Sequence, residues 1–336
     1  MPVWWSSSTA PSTRMASRWR CAAARPSCAA ARPERAMPAE RPARAEPRSY
    51  LFVPGDAPDK MAKAWAAGAA DALILDLEDS VAPERKDAAV GTVRDFLSGR
   101  GEGGGPLLFV RVNGTEPERA LREIAALPLA PLAGIVWPKL ATIAQLAPVA
   151  SALDALEARD GLASGHVGIV GIVTETAAAL LNGADLGKGH PRLTGYTWGM
   201  EDLSAELGRA PLPGRTDAQK VLATHAQLFC LLTANAAGIT PIDAVDANFR
   251  DLPALEADTR RGAELGFRSR MAIHPAQIAP IHEGLAPDAA TLDWARRVLA
   301  LAAENPGASA FKLDGRMVDR PHIRTAQAIL SRIKAQ

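Results

Sequence analysis

A short apolar run near residue 75 ends in a group of acids. Leu73-Ile74-Leu75 leads directly into Asp76, Glu78 and Asp79. Such runs are typical of strands buried on both faces, where an unpaired carboxylate would be very costly. At the carboxyl end of a parallel strand the acids would instead face the crevice that binds ligands. The alternative is the start of a helix, with Asp79 or Ser80 as its cap.

Polar residues end the other predicted strands in the same way. They are Arg111 and Asn113 at the end of the third strand, Lys139 after the fourth, Glu175 after the fifth, Glu201 and Asp202 after the sixth, Asp243 and Asp246 at the end of the seventh, and His274 after the eighth. In a closed barrel these ends converge on one mouth, where so many carboxylates need a cation among them. Carboxylate oxygens and water suit Mg²⁺, whereas zinc would call for His and Cys ligands. The set predicts a divalent-metal site, although any single acid could equally be a cap or a surface residue.

Arg111 stands inside the apolar stretch Leu107 to Val112. One interpretation is an arginine whose stem lies along apolar surface while its head reaches water. The other is a fork that binds a substrate carboxylate or a thioester carbonyl near the metal. The neighbouring positions are of core types, which favours the second interpretation.

The elements that must position these residues alternate regularly from Arg48 onward. The predicted strands are residues 49–53, 72–76, 107–112, 134–137, 166–173, 193–198, 240–245 and 269–273. Eight strands separated by helices predict an α/β fold closed as a (βα)₈ TIM barrel, with an open doubly wound sheet as the alternative. Glycine-rich phosphate loops are missing from the strand-to-helix turns.

The chain divides into three parts by composition and pattern. Residues 1–46 are rich in Ala, Arg, Ser and Pro, and no acid precedes Glu34. They predict a disordered or artefactual extension, with Met15 or Met37 as a true start, rather than a transit peptide. Residues 47–285 are the predicted barrel. Residues 286–336 predict a helix, an extended pair of segments and a last helix, packing on the barrel rim or on an adjacent subunit.

Composition excludes several classes of partner. The formal net charge is +1, and no apolar run is long enough to span a membrane. Neither nucleic acid nor a membrane is therefore an expected partner. The three cysteines, Cys21, Cys28 and Cys230, have no metal-binding or disulfide spacing, which predicts a reducing, cytoplasmic setting.

Several stretches from Arg48 to about Lys334 resemble the citrate lyase β-subunit-like branch of the HpcH/HpaI aldolase superfamily, which includes malyl-CoA and citramalyl-CoA lyases. The matching stretches are RSYLFVPG at 48–55, LDLEDSVAP at 75–83, VRVNG at 110–114, PK at 138–139, ET at 175–176, GMEDL at 199–203, PID at 241–243, IHPAQI at 273–278 and GRMVDRPH at 315–322. Singly these motifs are weak, but their combination and order are specific.

The resemblance implies a homotrimer of barrels that uses Mg²⁺, with Mn²⁺ as the alternative, to cleave or form a carbon–carbon bond in an acyl-CoA thioester. Malyl-CoA, citramalyl-CoA and citryl-CoA are the implied substrates. The implied roles are metal binding for Glu175 and Asp202, holding of metal-bound water for Glu78 and Asp79, binding of substrate oxygens for Arg111, catalysis at an adjacent subunit's site for Asp319, and proximity to the phosphates of coenzyme A for Arg48 and Lys63.

Other functions remain open at this point. A citrate lyase β subunit would act on an acyl-carrier-protein thioester, and a short-chain aldolase would act on free acids without coenzyme A. A barrel without catalysis could bind coenzyme A as a scaffold, but it would have no need for Glu175, Asp202 and Arg111. Trp198 stands where small aliphatic residues are common in the resembled family, so the shape of the acyl pocket stays open.

Overall fold

The computed structural model describes residues 46–100, 104–209, 216–307 and 309–334. The predicted amino-terminal extension therefore lies outside the described residues, except for Glu46. In the described ranges, no helix combines the length and the apolar character that crossing a membrane would require.

Eight parallel strands close into a barrel, which confirms the predicted (βα)₈ architecture. They are β1 (Ser49–Pro54), β2 (Ala72–Asp76), β3 (Leu107–Arg111), β4 (Leu132–Trp137), β5 (Gly168–Ile172), β6 (Leu193–Thr197), β7 (Thr240–Asp243) and β8 (Ser269–Ala272). Each strand pairs with the next, and β8 pairs with β1 to close the ring. All strand carboxyl ends consequently point to the same mouth.

Helices follow the strands and form the outer layer. They are α1 (Pro58–Ala67), α2 (Lys86–Ser98), α3 (Pro117–Ala126), α4 (Leu146–Arg159), α5 (Ala177–Leu181), α6 (Gly183–Leu186), α7 (Glu201–Glu206), α8 (Asp217–Ala237), α9 (Leu252–Leu265) and α10 (Ile278–Leu285). Proline stands in the first turn of α1, α3 and α9. Backbone N–H groups in a first turn have no acceptor within the helix, so proline costs no hydrogen bond there.

Alternation along the strands produces two apolar cores. In β2, Leu73 and Leu75 belong to the core between the strands and the helices. Ala72 and Ile74 belong to the core inside the barrel, together with Phe109. Because side chains alternate across a strand, one apolar run fills both layers, which explains why β2 has no polar residue before Asp76.

The carboxyl-terminal segment has a small core of its own. It consists of α11 (Ala289–Glu304), β9 (Ala310–Leu313), β10 (Arg316–Asp319) and α12 (Arg320–Lys334). The strands form an antiparallel hairpin, and its turn residues Asp314 and Gly315 both have positive φ, as a primed turn requires. Val298, Leu313 and Val318 lie in the core of this hairpin module, whose elements pack mainly on one another.

Candidate active site

A cavity of about 430 Å³ opens at the carboxyl ends of the strands. Its lining includes Asp76, Asp79, Ser80, Arg111, Glu175, Glu201 and Asp202 on the charged side, and Phe52, Ile172, Trp198, Ala244, Val245, Met271 and Ile273 on the apolar side. The charged residues follow β2, β3, β5 and β6, whereas most of the apolar ones belong to β1, β7, β8 and the loops after them. The cavity therefore has one polar half and one apolar half.

Arg111 ends β3 and is held in two directions by the acids that follow β2. Its Nε and Nη2 donate to Asp76 Oδ1 and Oδ2 at 2.7 and 2.6 Å. Its Nη1 lies 2.9 Å from Glu78 Oε2 and 3.5 Å from Asp79 Oδ2, and its guanidinium carbon lies 4.8 Å from the Phe52 ring centroid. Much of the fork is thus bound to the protein's own carboxylates, and Nη1 has the weakest protein partners.

Asp76 shapes the turn that carries the other acids. Its carboxylate accepts hydrogen bonds from the backbone N–H groups of Glu78 and Ser80, both at 3.0 Å. The helical turn that follows begins at Pro83 without any side-chain cap. The alternative interpretation, in which Asp79 or Ser80 caps this helix, is therefore wrong.

Lys139 connects the acids of three strands. It has a φ of 51°, and its backbone N–H donates to Glu175 Oε2 at 2.7 Å. Its Nζ lies 3.4 Å from Glu78 Oε1 and 3.1 Å from Asp202 Oδ1. Burial disfavours the ammonium charge, but Glu78, Asp202 and Glu175 outweigh burial and raise the pKa of Lys139.

Glu175 and Asp202 occupy neighbouring positions after β5 and β6. Glu175 is only 6% exposed, and burial, reinforced by Asp202 and Glu78, raises its pKa to about 8. Asp202 lies in the first turn of α7. Thr174 fixes the relation between the two loops, because its hydroxyl donates to Gly199 O at 2.9 Å and accepts from Gly199 N–H at 3.0 Å.

The donor set fits a cation that keeps part of its water shell. No group of three or more His, Cys, Asp or Glu side chains in the described ranges is arranged to hold a metal by protein ligands alone. Mg²⁺ commonly binds one or two protein carboxylates and keeps several water ligands. Glu175 and Asp202 can provide the two carboxylates. Glu78 Oε2 is buried and forms an ion pair with Arg111 Nη1 at 2.9 Å, but it accepts no hydrogen bond of good geometry within the described residues. A metal-bound water would satisfy it, and burial raises the pKa of Glu78 to about 7.

Several of the polar strand-end residues do not line the cavity, and Asp243, Asp246 and His274 have their partners elsewhere. Asp243 is buried and accepts hydrogen bonds from Trp198 Nε1 at 2.7 Å and Gln227 Nε2 at 3.2 Å. Asp246 accepts from a backbone N–H in its own loop, and exposed His274 caps the turn at Pro275–Gln277. The strand ends converge on one mouth as predicted, but backbone and core partners hold these three side chains out of the cavity.

Asn113 and Glu123 hold the acidic loop from behind. Asn113 Nδ2 donates to Leu77 O at 2.8 Å and to Glu123 Oε1 at 2.6 Å. The Asn113 N–H donates to Glu123 Oε2 at 2.9 Å. The sequence analysis did not identify Glu123 as part of the site. The only sequence signal for it was an acid at a position of α3 that faces the strands.

Arg48 does not reach the mouth in this chain. It precedes β1, and its Nε donates to Asp71 Oδ2 at 2.9 Å, so it lies at the amino end of the barrel. Since β1 has 6 residues and a strand rises about 3.3 Å per residue, Arg48 lies roughly 20 Å from the cavity end. Lys63 is exposed on α1 and does not line the cavity. The geometry thus gives neither residue a place beside a ligand in the cavity.

Asp319 ends β10, outside the lining of the cavity in its own chain. One of its carboxylate oxygens lies 2.6 Å from His322 Nδ1. The His322 ring in turn meets Trp294 edge-on at 6.5 Å. Its predicted role at an adjacent subunit's site stays a prediction.

Comparisons with known proteins point to one family. The sequence model of the HpcH/HpaI aldolase/citrate lyase family matches residues 48–275. The citrate lyase subunit beta-like protein of Mycobacterium tuberculosis is 34% identical over 293 residues, which cover 86% of this chain and 96% of that protein. The (3S)-malyl-CoA thioesterase of Cereibacter sphaeroides is 33% identical over 290 residues, which cover 86% of this chain and 95% of that protein.

A solved structure is similar over the same range. It is the protein CitE from Mycobacterium tuberculosis in complex with magnesium, acetoacetate and coenzyme A. The two chains are 32% identical with a TM-score of 0.66, and the match covers 86% of this chain and 98% of CitE.

Proposed function

The chain belongs to the HpcH/HpaI aldolase/citrate lyase family, and on this premise we propose that it is a Mg²⁺-dependent carbon–carbon lyase that cleaves or forms a 3-hydroxyacyl-CoA thioester. The family membership confirms the resemblance expected from the motifs. The observation that carries the proposal is that Glu175, Asp202 and Arg111 line one cavity. Malyl-CoA, citramalyl-CoA and citryl-CoA are the substrates to test first.

The proposed roles follow from the positions of the side chains. Glu175 and Asp202 would hold Mg²⁺, and Glu78 and Asp79 would hold water molecules around it. Magnesium, acetoacetate and coenzyme A bound to CitE support a site of this kind. Arg111 would offer Nη1 to a substrate oxygen, while its bonds to Asp76 keep the fork in place.

In the cleavage direction the 3-hydroxyl would give its proton to water. The electron pair of the bond between C2 and C3 would pass to the thioester, which leaves a keto acid and a thioester enolate. Bound Mg²⁺ would supply a Lewis acid for the hydroxyl and carboxylate oxygens. Arg111 would balance the negative charge that develops on the substrate. Asp319 of an adjacent subunit in a homotrimer would then protonate the enolate carbon, and it would remove the same proton in condensation.

A thioesterase is the second candidate, because a relative with 33% identity carries the name (3S)-malyl-CoA thioesterase. Such an enzyme would hydrolyse the thioester and leave the carbon skeleton intact. A carrier-protein thioester in place of coenzyme A is the third arrangement to test. A cytoplasmic setting accords with Cys230, which is a free and buried thiol in the described part of the chain.

The decisive experiment is a thioester panel with and without EDTA. Each thioester is incubated with the full chain, and both the acyl-CoA products and free coenzyme A are measured. We expect acetyl-CoA or propionyl-CoA together with a keto acid, and no turnover in EDTA. Release of free coenzyme A together with an intact hydroxy acid would instead identify a thioesterase. Turnover that is unchanged by EDTA would contradict the metal site.

A further inference from the structure

We propose that Thr197 is a further substrate-binding residue, whose hydroxyl donates a hydrogen bond to the carboxylate at the hydroxy-acid end of the substrate. This inference rests on the proposed function and deepens it, because it adds a contact to those proposed for Glu175, Asp202 and Arg111. It concerns the inner end of the cavity, at the last residue of β6.

Thr197 carries a buried hydroxyl that has no partner. The residue is only 2% exposed, and its Oγ1 has no hydrogen-bond partner in the described part of the chain. Among the described residues with a buried side-chain atom of this kind, Thr197 alone lines the cavity. Burial of a hydroxyl without a partner is costly. Its presence at the cavity therefore points to an acceptor that a ligand supplies.

The alternation of side chains along β6 directs this hydroxyl into the barrel. Tyr196 points outward, since it belongs to the core between strands and helices and its hydroxyl donates to Leu186 O at 2.9 Å. Thr197 therefore points inward. Its neighbours across the sheet are Ile172 in β5 and Ile242 in β7, and both belong to the core inside the barrel. The hydroxyl thus lies among apolar side chains at the inner end of the cavity.

The other side-chain donor on this side of the cavity is occupied. Apart from the acids, Trp198 is the other described residue from β5 to β8 and their loops that lines the cavity with a side-chain N–H or O–H group. Its Nε1 donates to Asp243 Oδ1 at 2.7 Å. The backbone N–H of Ala244 donates to the same oxygen at 3.0 Å. Thr197 is therefore the side-chain donor that a substrate oxygen on this side would meet.

The depth of Thr197 indicates which end of the substrate it binds. The proposed Mg²⁺ ligands Glu175 and Asp202 follow β5 and β6, so a hydroxy acid bound to the cation brings its carboxylate to the ends of these two strands. Coenzyme A is too large for a cavity of about 430 Å³, and the thioester must extend toward the open mouth. The acceptor is accordingly the carboxylate beside the hydroxyl-bearing carbon.

The same hydroxyl has opposite effects on binding and on stability. In the complex it donates to a charged acceptor in apolar surroundings, where hydrogen bonds are stronger than in water. In the free protein it is buried beside Ile172 and Ile242 without a partner, which disfavours the folded state. Valine has nearly the shape of threonine and lacks the hydroxyl, so Thr197→Val should weaken binding without destabilising the fold.

The test measures keto acids and the thioester separately. Glyoxylate, pyruvate and oxaloacetate are titrated into the full chain in Mg²⁺ by calorimetry. Thr197→Val should lower the affinity for the keto acid that binds best about tenfold. It should change KM for acetyl-CoA in condensation by less than about twofold, because the thioester does not reach Thr197. Thr197→Ser keeps the hydroxyl and should restore most of the lost affinity.

Thr194→Val is the matched control, because Thr194 lies in the same strand and its hydroxyl donates to Ile169 O at 3.1 Å. The proposal is overturned if Thr197→Val binds keto acids as tightly as Thr194→Val, or if Thr197→Ser binds them as weakly as Thr197→Val. Undetectable binding of all three keto acids by the unmodified chain overturns it as well. A higher KM for acetyl-CoA alone would place the hydroxyl at the thioester and overturn the assigned oxygen.

Melting temperatures separate binding from a structural role. Thr197→Val should melt no lower than the unmodified chain, and a clear decrease would show that the hydroxyl supports the fold instead, which contradicts the proposal. Because keto-acid binding is measured without turnover, it does not depend on the lyase reaction. Weaker binding in Thr197→Val alone supports the contact even if no thioester of the panel is cleaved.

Discussion

Two cations at the mouth, Arg111 and Lys139, determine how the acidic side chains are arranged. One edge of the Arg111 fork, Nε and Nη2, is bound by Asp76, whose side chain is nearly inaccessible. Removal of one partner from a buried pair of this kind typically costs about 3–5 kcal/mol. Lys139 has a similar position between Glu78 and Asp202. Both residues thus have a structural contribution, and loss of activity in their variants would not by itself identify a contact with substrate.

Glu175 and Asp202 give the sharper test of the metal site. Either change to alanine should abolish metal-dependent turnover, because Mg²⁺ would lose one of the two carboxylates proposed to bind it. The fold should persist, since acids that crowd one another contribute little stability. Steady-state turnover and thermal melting measure the two effects. Glu264→Ala, at an exposed position of α9, is the control, and full activity in Glu175→Ala would contradict the assignment.

The effect of Mg²⁺ on stability should grow with pH. Burial raises the pKa of Glu175 from 4.5 to about 8 in the metal-free protein. Through that window the folded state holds a proton that the unfolded state lacks, so stability falls as pH rises. Mg²⁺ competes with this proton, and its stabilising effect is therefore expected to be larger at about pH 8.5 than at about pH 6.

Melting temperatures with and without Mg²⁺ at both pH values measure this difference. Glu175→Gln provides the control, because it has the same shape and cannot ionise. A Mg²⁺ effect of equal size at both pH values in the unmodified chain would show that Glu175 does not exchange a proton for the metal.

At the scale of elements, strand ends were predictable where the sequence changes abruptly. β2 was predicted with its observed bounds, Ala72–Asp76, because its apolar run ends in an acid. β5 is shorter than predicted, Gly168–Ile172, because Val167 and Val173 on either side are as apolar as the strand. Short helices such as α6 and α7 were not predicted, since four to six residues carry too little periodicity.

Which acids share the cavity could not be predicted from strand ends alone. Asp202 and Asp243 both follow apolar strands, yet Asp202 lines the cavity and Asp243 is buried beside Gln227. The difference depends on α8, whose Gln227 precedes Asp243 by 16 residues. Pairwise partners of this kind are a property of the packed structure, and the period of a strand carries no information about them.

The junction between α10 and β1 should be sensitive to acid. His282 Nε2 lies 2.8 Å from Ser49 Oγ, and burial, with a smaller contribution from Arg48, lowers the pKa of His282 below 6.5 although Asp71 opposes this. Below about pH 6.5 the unfolded chain takes up a proton that the folded chain resists, so stability falls with falling pH. Chemical denaturation from about pH 7.5 to pH 5 measures this slope.

His282→Gln should flatten the slope, because glutamine can still reach Ser49 but does not titrate in this range. His225→Gln is the control, since His225 is exposed on α8. If both variants keep the slope of the unmodified chain, another group is responsible for it.

At the scale of the whole molecule, the candidate site residues are divided between the barrel and the hairpin module. The barrel carries the acids and Arg111 around the cavity. The hairpin module carries Asp319 beside His322, and its core is separate from those of the barrel. If Asp319 transfers a proton, a second copy of the chain is needed to complete the site, and the proposal of three copies comes from the resemblance to the family.

Two inactive variants should therefore restore activity when they are mixed. Asp319 is 33% exposed at its side chain, and asparagine caps a helix about as well as aspartate but cannot transfer a proton. Asp319→Asn should lower turnover about a hundredfold or more with little change in stability. The Asp319→Asn chain keeps an intact Glu175, whereas the Glu175→Ala chain keeps an intact Asp319. If the site is shared between subunits, mixed assemblies contain complete sites and turnover returns. If labelled chains are seen to exchange and the mixture stays inactive, Asp319 does not act across an interface, and its pairing with His322 serves the start of α12 instead.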